Sequence, residues 1–484
     1  MYTNEQLAAS KYTSTSVSII TVLVVAVYAT LFGVYRCNLA IDTPWYLSFS
    51  YNYCMKGIDT DATFGVPFPG GMGGVVAFGK LAAIVQCAAL APLNWSLVAA
   101  NILSAAGVVL SLAAIFAFLV GEGFGRLGAV TCCLALAATE PFVAMANQSK
   151  YEYITFLLAV CGLLLAARRH LVLAGLISML AIEVQPIGIM APIYLISYEV
   201  SRIIKTRGFR LELDRVAKLA LGGVIGLAVY FILHPNIITL LRTSPAAAAF
   251  DDARRHFLYG YFVEARLHRH LPELAVFAAC LVVHIWRRDY LRWPFPLIAS
   301  LATFFVGFLR GNGYYVPFWY FPSFLLVFLT IGPAWRAVAL PALVLVLFIP
   351  QYAAAYVEGH KYANQGELQV ARSVIASRGT DLSHAHIFGD FIFWPVFKDL
   401  SFQWTPSVMF KPMPGTSYLI CGLDPPFSPE ERVCADELPA FGGMRLVDQF
   451  SWAGRKYLVY ERRECPPLAK LQRRRRSRPR TPRL

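Results

Sequence analysis

Long apolar runs alternate with short polar, often basic, segments along most of this chain. The runs lack the 3.6-residue stripe of a water-facing helix, and the longer ones approach the ~20 residues needed to cross a bilayer. Eleven segments fit best: 16–35, 97–119, 126–145, 151–167, 171–185, 187–201, 216–234, 273–286, 294–309, 317–332 and 335–350. Within SMLAIEVQPIGIMAPIYLI, Pro186 either separates two short helices or kinks one. The first run, SVSIITVLVVAVYATLFGVY, has no positively charged start and no small-residue cleavage site, so it reads as a retained helix rather than a signal peptide.

Two regions break the pattern. The first is the stretch 36–96, long for a connection without a role. After Asp42, PWYLSFSYNYCMKG predicts a short helix begun near Pro44 and ended by Gly57. Its aromatics (Trp45, Tyr46, Tyr51 and Tyr53) suit a membrane headgroup belt. GIDTDATFGVPFPGGMGG follows as a shaped irregular loop, dense in Gly and Pro. VVAFGKLAAIVQCAALAPL (75–93) is apolar enough to mimic a span, but counting it as one would invert every later loop; it reads as an amphipathic helix near the interface, carrying Lys80. The second region, 351–465, mixes short apolar segments with Pro and Gly turns, the pattern of a small α/β or mostly β domain. The predicted organisation is therefore a transmembrane domain over 1–350, an outer domain over 351–465, and an Arg/Pro-rich tail over 466–484 that is expected to be disordered.

Composition agrees. Hydrophobic residues make up 57%, charged residues only 15%, and the mean hydropathy is +0.53; soluble domains carry about 25% charge. The fold class expected is an all-α polytopic membrane protein. Net charge is +14, and RRRRSRPRTPRL at the C-terminus supplies seven of the positives. No folded nucleic-acid-binding module accompanies that tail, so anionic lipid is its expected contact and no nucleic-acid partner is expected. The other basic clusters, RRH (168–170), SRIIKTRGFRLELDRVAK (201–218), HIWRRDYLRW (284–293) and Arg336, share one side in the eleven-span reading. The positive-inside rule makes that side cytoplasmic, with the N-terminus inside and residues from about 351 outside. The compact chain suggests a bacterial plasma membrane.

The loop 36–96, the ANQSKYE turn, the loop 235–272, the RGNGYYVP turn and the outer domain then share the external face, where a site can be assembled from several of them. Asp42 would lie beside the positive end of a short helix, where the dipole favours carboxylate; the bland alternative is a solvated carboxylate at a helix mouth. Lys80, Lys150, Arg254, Arg255 and Arg310 are the candidate cations for a phosphate, against ordinary headgroup contact. Asn147, Gln148 and Glu152 crowd one turn, and Tyr314 and Tyr315 add stacking area and hydroxyls; with His268 they are candidates to bind substrate. Asp59 and Asp61, at i,i+2, bind substrate or hold a divalent cation, or are simply solvated; as metal ligands the signal is weak. Glu140 and Glu183, inside apolar runs, must face protein or a cavity. Cys87, Cys132, Cys133, Cys161 and Cys280 fall in apolar runs, where a free thiol acts as a small hydrophobe. In the outer domain a Cys421–Cys434 bridge fits an oxidising compartment.

The chain resembles the GT-C superfamily of polytopic membrane glycosyltransferases, which use polyprenyl-phosphate-linked sugars and include the protein O-mannosyltransferases and the lipid A aminoarabinose transferases. The resemblance rests on AIDTPWYLSFSYNYCMKG, the loop and interfacial helix up to residue 96, ANQSKYEYITFLLAVCGLLLAARRH, LAGLISMLAIEVQPIGI and LRGNGYYVPFWYFPSFLLV, and covers roughly 15–350. It implies glycosyl transfer from a polyprenyl-phosphate-sugar donor to a lipid, glycan or protein acceptor, in contact with membrane lipids. By this resemblance Asp42 matches the first-loop Asp that in the family is placed to activate an acceptor or orient the transfer. Many members carry a second acidic residue directly after it; Thr43 stands here, so an acidic-pair or metal-dependent mechanism built on that neighbour is not implied. A divalent cation is possible but not required. The alternative class is a multi-span transporter or flippase of an amphipathic substrate, which predicts an internal repeat that the two halves do not show.

Overall fold

The computed structural model describes residues 42–58, 78–206, 212–235, 271–289, 293–309, 316–331, 369–377, 385–389, 391–404, 417–422, 444–452 and 455–462, together with Ile237, Leu343, Leu347 and Leu382. The run 16–35, and all of 335–350 except Leu343 and Leu347, lie outside them. The described residues form two compact units, one reaching residue 347 and one beginning at residue 369.

The first unit is helical: α1 (Asp42–Lys56), α2 (Lys80–Leu90), α3 (Leu97–Gly121), α4 (Arg126–Ala137), α5 (Glu140–Asn147), α6 (Glu152–Ala167), α7 (Leu171–Val184), α8 (Met190–Thr206), α9 (Glu212–Leu233), α10 (Leu271–Trp286), α11 (Phe295–Leu309) and α12 (Val316–Thr330). Among the described residues, Leu97–Gly121, Pro186–Lys205 and Leu213–Leu233 are long and apolar enough to cross a membrane. The pattern predicts one span over 126–145, but the chain bends by 67° between α4 and α5. Thr139 turns its hydroxyl back to the Leu136 carbonyl (2.7 Å), satisfying a group freed at the end of α4, and Pro141 sits in the first turn of α5, where its missing N–H costs nothing.

Pro186 separates two helices. It drives Gln185 into extended backbone (φ −161°, ψ 143°), so α7 stops at Val184 and a 3₁₀ turn, Pro186–Ile189, leads into α8. α9 packs closely along α7. A Cβ at Gly175 would run into the Leu219 carbonyl oxygen, and one at Gly222 into that of Val172, so small residues set this approach. The rest of α9 (Leu221, Val224, Phe231, Ile232) is exposed and apolar, as a lipid-facing surface would be. Arg215 of α9 grips Glu199 of α8 through both carboxylate oxygens, at 2.6 and 2.9 Å. The core is aromatic: Phe118, Phe156, Tyr194, Phe295, Phe318 and Phe321 meet mostly edge to face.

The second unit holds α13 (Gln369–Ala376) and five strands: β1 (His386–Gly389), β2 (Ser401–Trp404), β3 (Ser417–Gly422), β4 (Arg445–Trp452) and β5 (Arg455–Arg462). Their order is β2-β1-β3-β5-β4. β1 runs parallel to β2 and β3, while β5 pairs antiparallel with β3 and β4. The parallel β1–β2 crossover is made by the helical residues Phe391–Phe397. Phe388, Leu419 and Cys421 are buried on the sheet, and Cys421 is disulfide-bonded. The bridge partner expected for it, Cys434, lies outside the described residues.

Candidate functional site

A helix opening on Gly79 has no side-chain cap of its own: the residue sits at φ +93°, and a Cβ there would come within 2.6 Å of the Tyr151 ring. The cap for α2 is supplied from the end of α7. The Glu183 carboxylate accepts the backbone N–H of Lys80 (2.9 Å) and of Leu81 (3.2 Å), and the Glu183 carbonyl accepts that of Gly79 (2.6 Å). These are orphan donors at the positive end of a helix, where a carboxylate is favoured. His234, just past α9, places Nε2 at 2.9 Å from the same carboxylate, and both side chains are buried. One carboxylate thus joins α2, α7 and the end of α9.

Two residues on, Gln185 does similar work. Its Nε2 donates to Tyr46 Oη on α1 and to Glu152 Oε1 on α6, each at 3.1 Å. Tyr46 and Tyr151 pack with ring centroids 4.5 Å apart, and Tyr151 Oη lies 2.8 Å from Ser50 Oγ. Ser149 donates to Asn101 Oδ1 (3.0 Å), and the Ser149 carbonyl accepts from Gln86 of α2 (3.4 Å). A buried polar seam therefore binds α1 and α2 to the turn 147–152 and to the break after α7. Among the described residues, the buried oxygens Thr43 Oγ1, Gln86 Oε1, Asn147 Oδ1 and Gln185 Oε1 along it have no hydrogen-bond partner. Such groups are uncommon in a settled core.

The apolar run around Cys87 predicts a free thiol, and the structure corrects this. Cys87 is bonded to Cys54, 33 residues earlier, with Cα atoms 5.8 Å apart, so α1 and α2 are covalently joined. Cysteine spacing alone gave no sign of it, because the partners meet only when both helices lie on the same support.

Of the residues singled out by sequence, Asp42 is the first residue of α1. Lys80 opens α2 with a half-buried side chain, whereas Lys150 is enclosed at 1% exposure. Asn147 and Glu152 are buried, and Gln148 is half-buried between them. Asp59, Asp61, Arg254, Arg255, His268, Arg310, Tyr314 and Tyr315 lie outside the described residues, and among the described residues no group of three or more His, Cys, Asp or Glu could hold a metal ion. Glu183, Gln185, His234, Tyr46 and Tyr151 are organising residues that spacing does not single out as a set. The signals for them were a carboxylate inside an apolar run and a proline three residues later.

No protein-family model and no curated protein matches the chain. Solved structures do. One is the archaeal oligosaccharyltransferase AglB from Archaeoglobus fulgidus in complex with an inhibitory peptide and a dolichol-phosphate, at 13% identity and a TM-score of 0.51, over 81% of this chain and 64% of that one. Another is ArnT from Cupriavidus metallidurans bound to undecaprenyl phosphate, at 14% identity and a TM-score of 0.52, over 92% of this chain and 97% of that one. The chain spans just under two thirds of the length of AglB. At these identities the likeness is one of fold.

Proposed function

We propose that this chain transfers a glycosyl group from a polyprenyl-phosphate-linked sugar to a lipid, glycan or protein acceptor at the extracytoplasmic face of a bacterial plasma membrane. The observation that carries the reading is the fold shared with AglB and ArnT, solved with dolichol-phosphate and undecaprenyl phosphate. In this reading eleven spans cross the bilayer with the N-terminus inside, α2 lies near the interface, and the second unit is an extracytoplasmic α/β domain. The Cys54–Cys87 and Cys421 disulfides support that orientation, since such bonds persist in oxidising compartments.

The reaction needs a base for the acceptor, cations for the departing phosphate and an apolar path for the lipid. Asp42, opening α1, takes the acceptor proton. The freed oxygen or nitrogen attacks the anomeric carbon, and the bond from that carbon to the phosphate oxygen breaks, with the electron pair leaving on the polyprenyl phosphate. Cationic side chains stabilise the charge growing on that phosphate. Arg310 and the half-buried Lys80 lead, with Arg254 and Arg255 behind them; the enclosed Lys150 contributes its charge from within the turn. Asn147, Gln148, Glu152, His268, Tyr314 and Tyr315, with Asp59 and Asp61, recognise the sugar or acceptor. The polar seam holds α1, and with it Asp42, in register with the turn 147–152.

The test is transfer of labelled sugar from a polyprenyl-phosphate donor by purified protein in lipid. Asp42→Asn keeps the size and removes the basicity, so turnover falls by about 10²–10⁴-fold while donor binding survives. Near-normal turnover in the folded variant would return Asp42 to a solvated carboxylate.

A further inference from the structure

At the ends of α3 and α6 remote from the polar seam, a cavity of about 520 Å³ opens between those helices and the start of α4. Its wall is apolar, with Phe116, Val120 and Leu164 half-buried along it, and two exposed arginines, Arg126 and Arg168, complete the lining. Among the described residues, neither guanidinium has a hydrogen-bond or ion-pair partner. Arg126 is also the first residue of α4, whose N-cap, Gly125, offers no side-chain cap. Arg168 approaches from a different helix, just past α6, so the positive charge converges from two elements onto one greasy pocket.

We infer that this pocket binds an anionic glycerophospholipid, with the headgroup phosphate between Arg126 and Arg168 and an acyl chain along Phe116, Val120 and Leu164. A free anion would use the two arginines but gain nothing from the apolar wall. A zwitterionic lipid would use the wall but bring its own cation toward two arginines. Only an anionic lipid matches both halves, and paired guanidinium groups suit phosphate oxygens. On the orientation proposed above, the pocket faces the cytoplasmic leaflet, where basic pockets between spans recruit anionic headgroups. The site is separate from the proposed donor site, which lies by the polar seam.

The experiment is native mass spectrometry of the full chain reconstituted with equal amounts of phosphatidylglycerol and phosphatidylcholine of matched acyl chains. The wild-type chain retains phosphatidylglycerol selectively. Arg126→Ala combined with Arg168→Ala weakens that retention by about 30-fold, from about fivefold for each Arg. Lys205→Ala, an exposed cation in the last turn of α8, leaves it unchanged. Leu164→Trp, which fills the apolar wall without touching charge, lowers retention as well and carries the test should the double variant not fold. Equal retention in the wild type and the double variant, equal loss in Lys205→Ala, or competition by soluble glycerol phosphate as effective as by the lipid would each overturn the proposal. Retention is read without any transfer reaction, so its outcome is independent of the glycosyl-transfer reading.

Discussion

Glu183 shows what one buried carboxylate does in an apolar run. It is fully enclosed, and its two oxygens are used by Lys80 N–H, Leu81 N–H and His234, groups drawn from two distant stretches of chain. Glu183→Gln replaces a side chain that accepts at both oxygens by one that accepts at one and donates at the other. Its amide N–H₂ then faces either His234 or the N–H groups of α2. A loss of about 1–3 kcal/mol is expected, seen as a lowered melting temperature in lipid, with a larger loss for Glu183→Ala, which leaves all three groups buried without an acceptor. A melting temperature unchanged in both would show that α2 is held by other contacts. That Glu183 must be satisfied was legible from its place among Leu, Ile and Val. Its partners were not, because the nearest of them in sequence is 51 residues away.

Between elements, the Glu183 cap and the Tyr46–Gln185–Glu152 chain tie α2 and α1 to the rest of the helical unit, and the Cys54–Cys87 bond ties the two helices to each other. Both helices are short, and isolated helices of their length are marginal in water. The disulfide closes a loop across a sequence separation of 33 residues, which in the chain-entropy view stabilises the fold by about 3–4 kcal/mol. Cys54→Ser or a reducing agent should therefore lower the melting temperature and reduce transfer together, while Cys132→Ser, a buried thiol with no disulfide, leaves transfer intact. Transfer indifferent to reduction, with the bond shown broken by mass, would remove the disulfide from the proposed site's framework. Gly57 as the stop of α1 was readable from sequence, since it acts through its own backbone (φ +65°), whereas Pro186 was readable only as a break or a kink, and the structure decides for the break.

For the whole molecule, orientation decides which surface meets which compartment. A single cysteine placed at Gln148 should react with an impermeant reagent from outside, and one at Lys205 or Asp289 only after permeabilisation. Labelling in the reverse sense would place the polar seam in the cytoplasm and end the proposed reading. What the sequence determined by itself is what depends on local solvent preference: apolar runs that cannot stay in water, basic clusters between them, breaks at Pro and Gly, and a carboxylate at Asp42 beside a predicted helix. The run 126–145 marks the limit, because its hydropathy is continuous while the backbone bends by 67° in the middle. Only the tertiary structure decided that Glu183 caps α2 across 103 residues, that Cys87 is a bridge rather than a small hydrophobe, and that Arg126 and Arg168 share a pocket. Hydropathy is a sum over neighbours in sequence, whereas a hydrogen bond, a disulfide or a shared cavity depends on distance in space, and that distance exists only once the helices have packed.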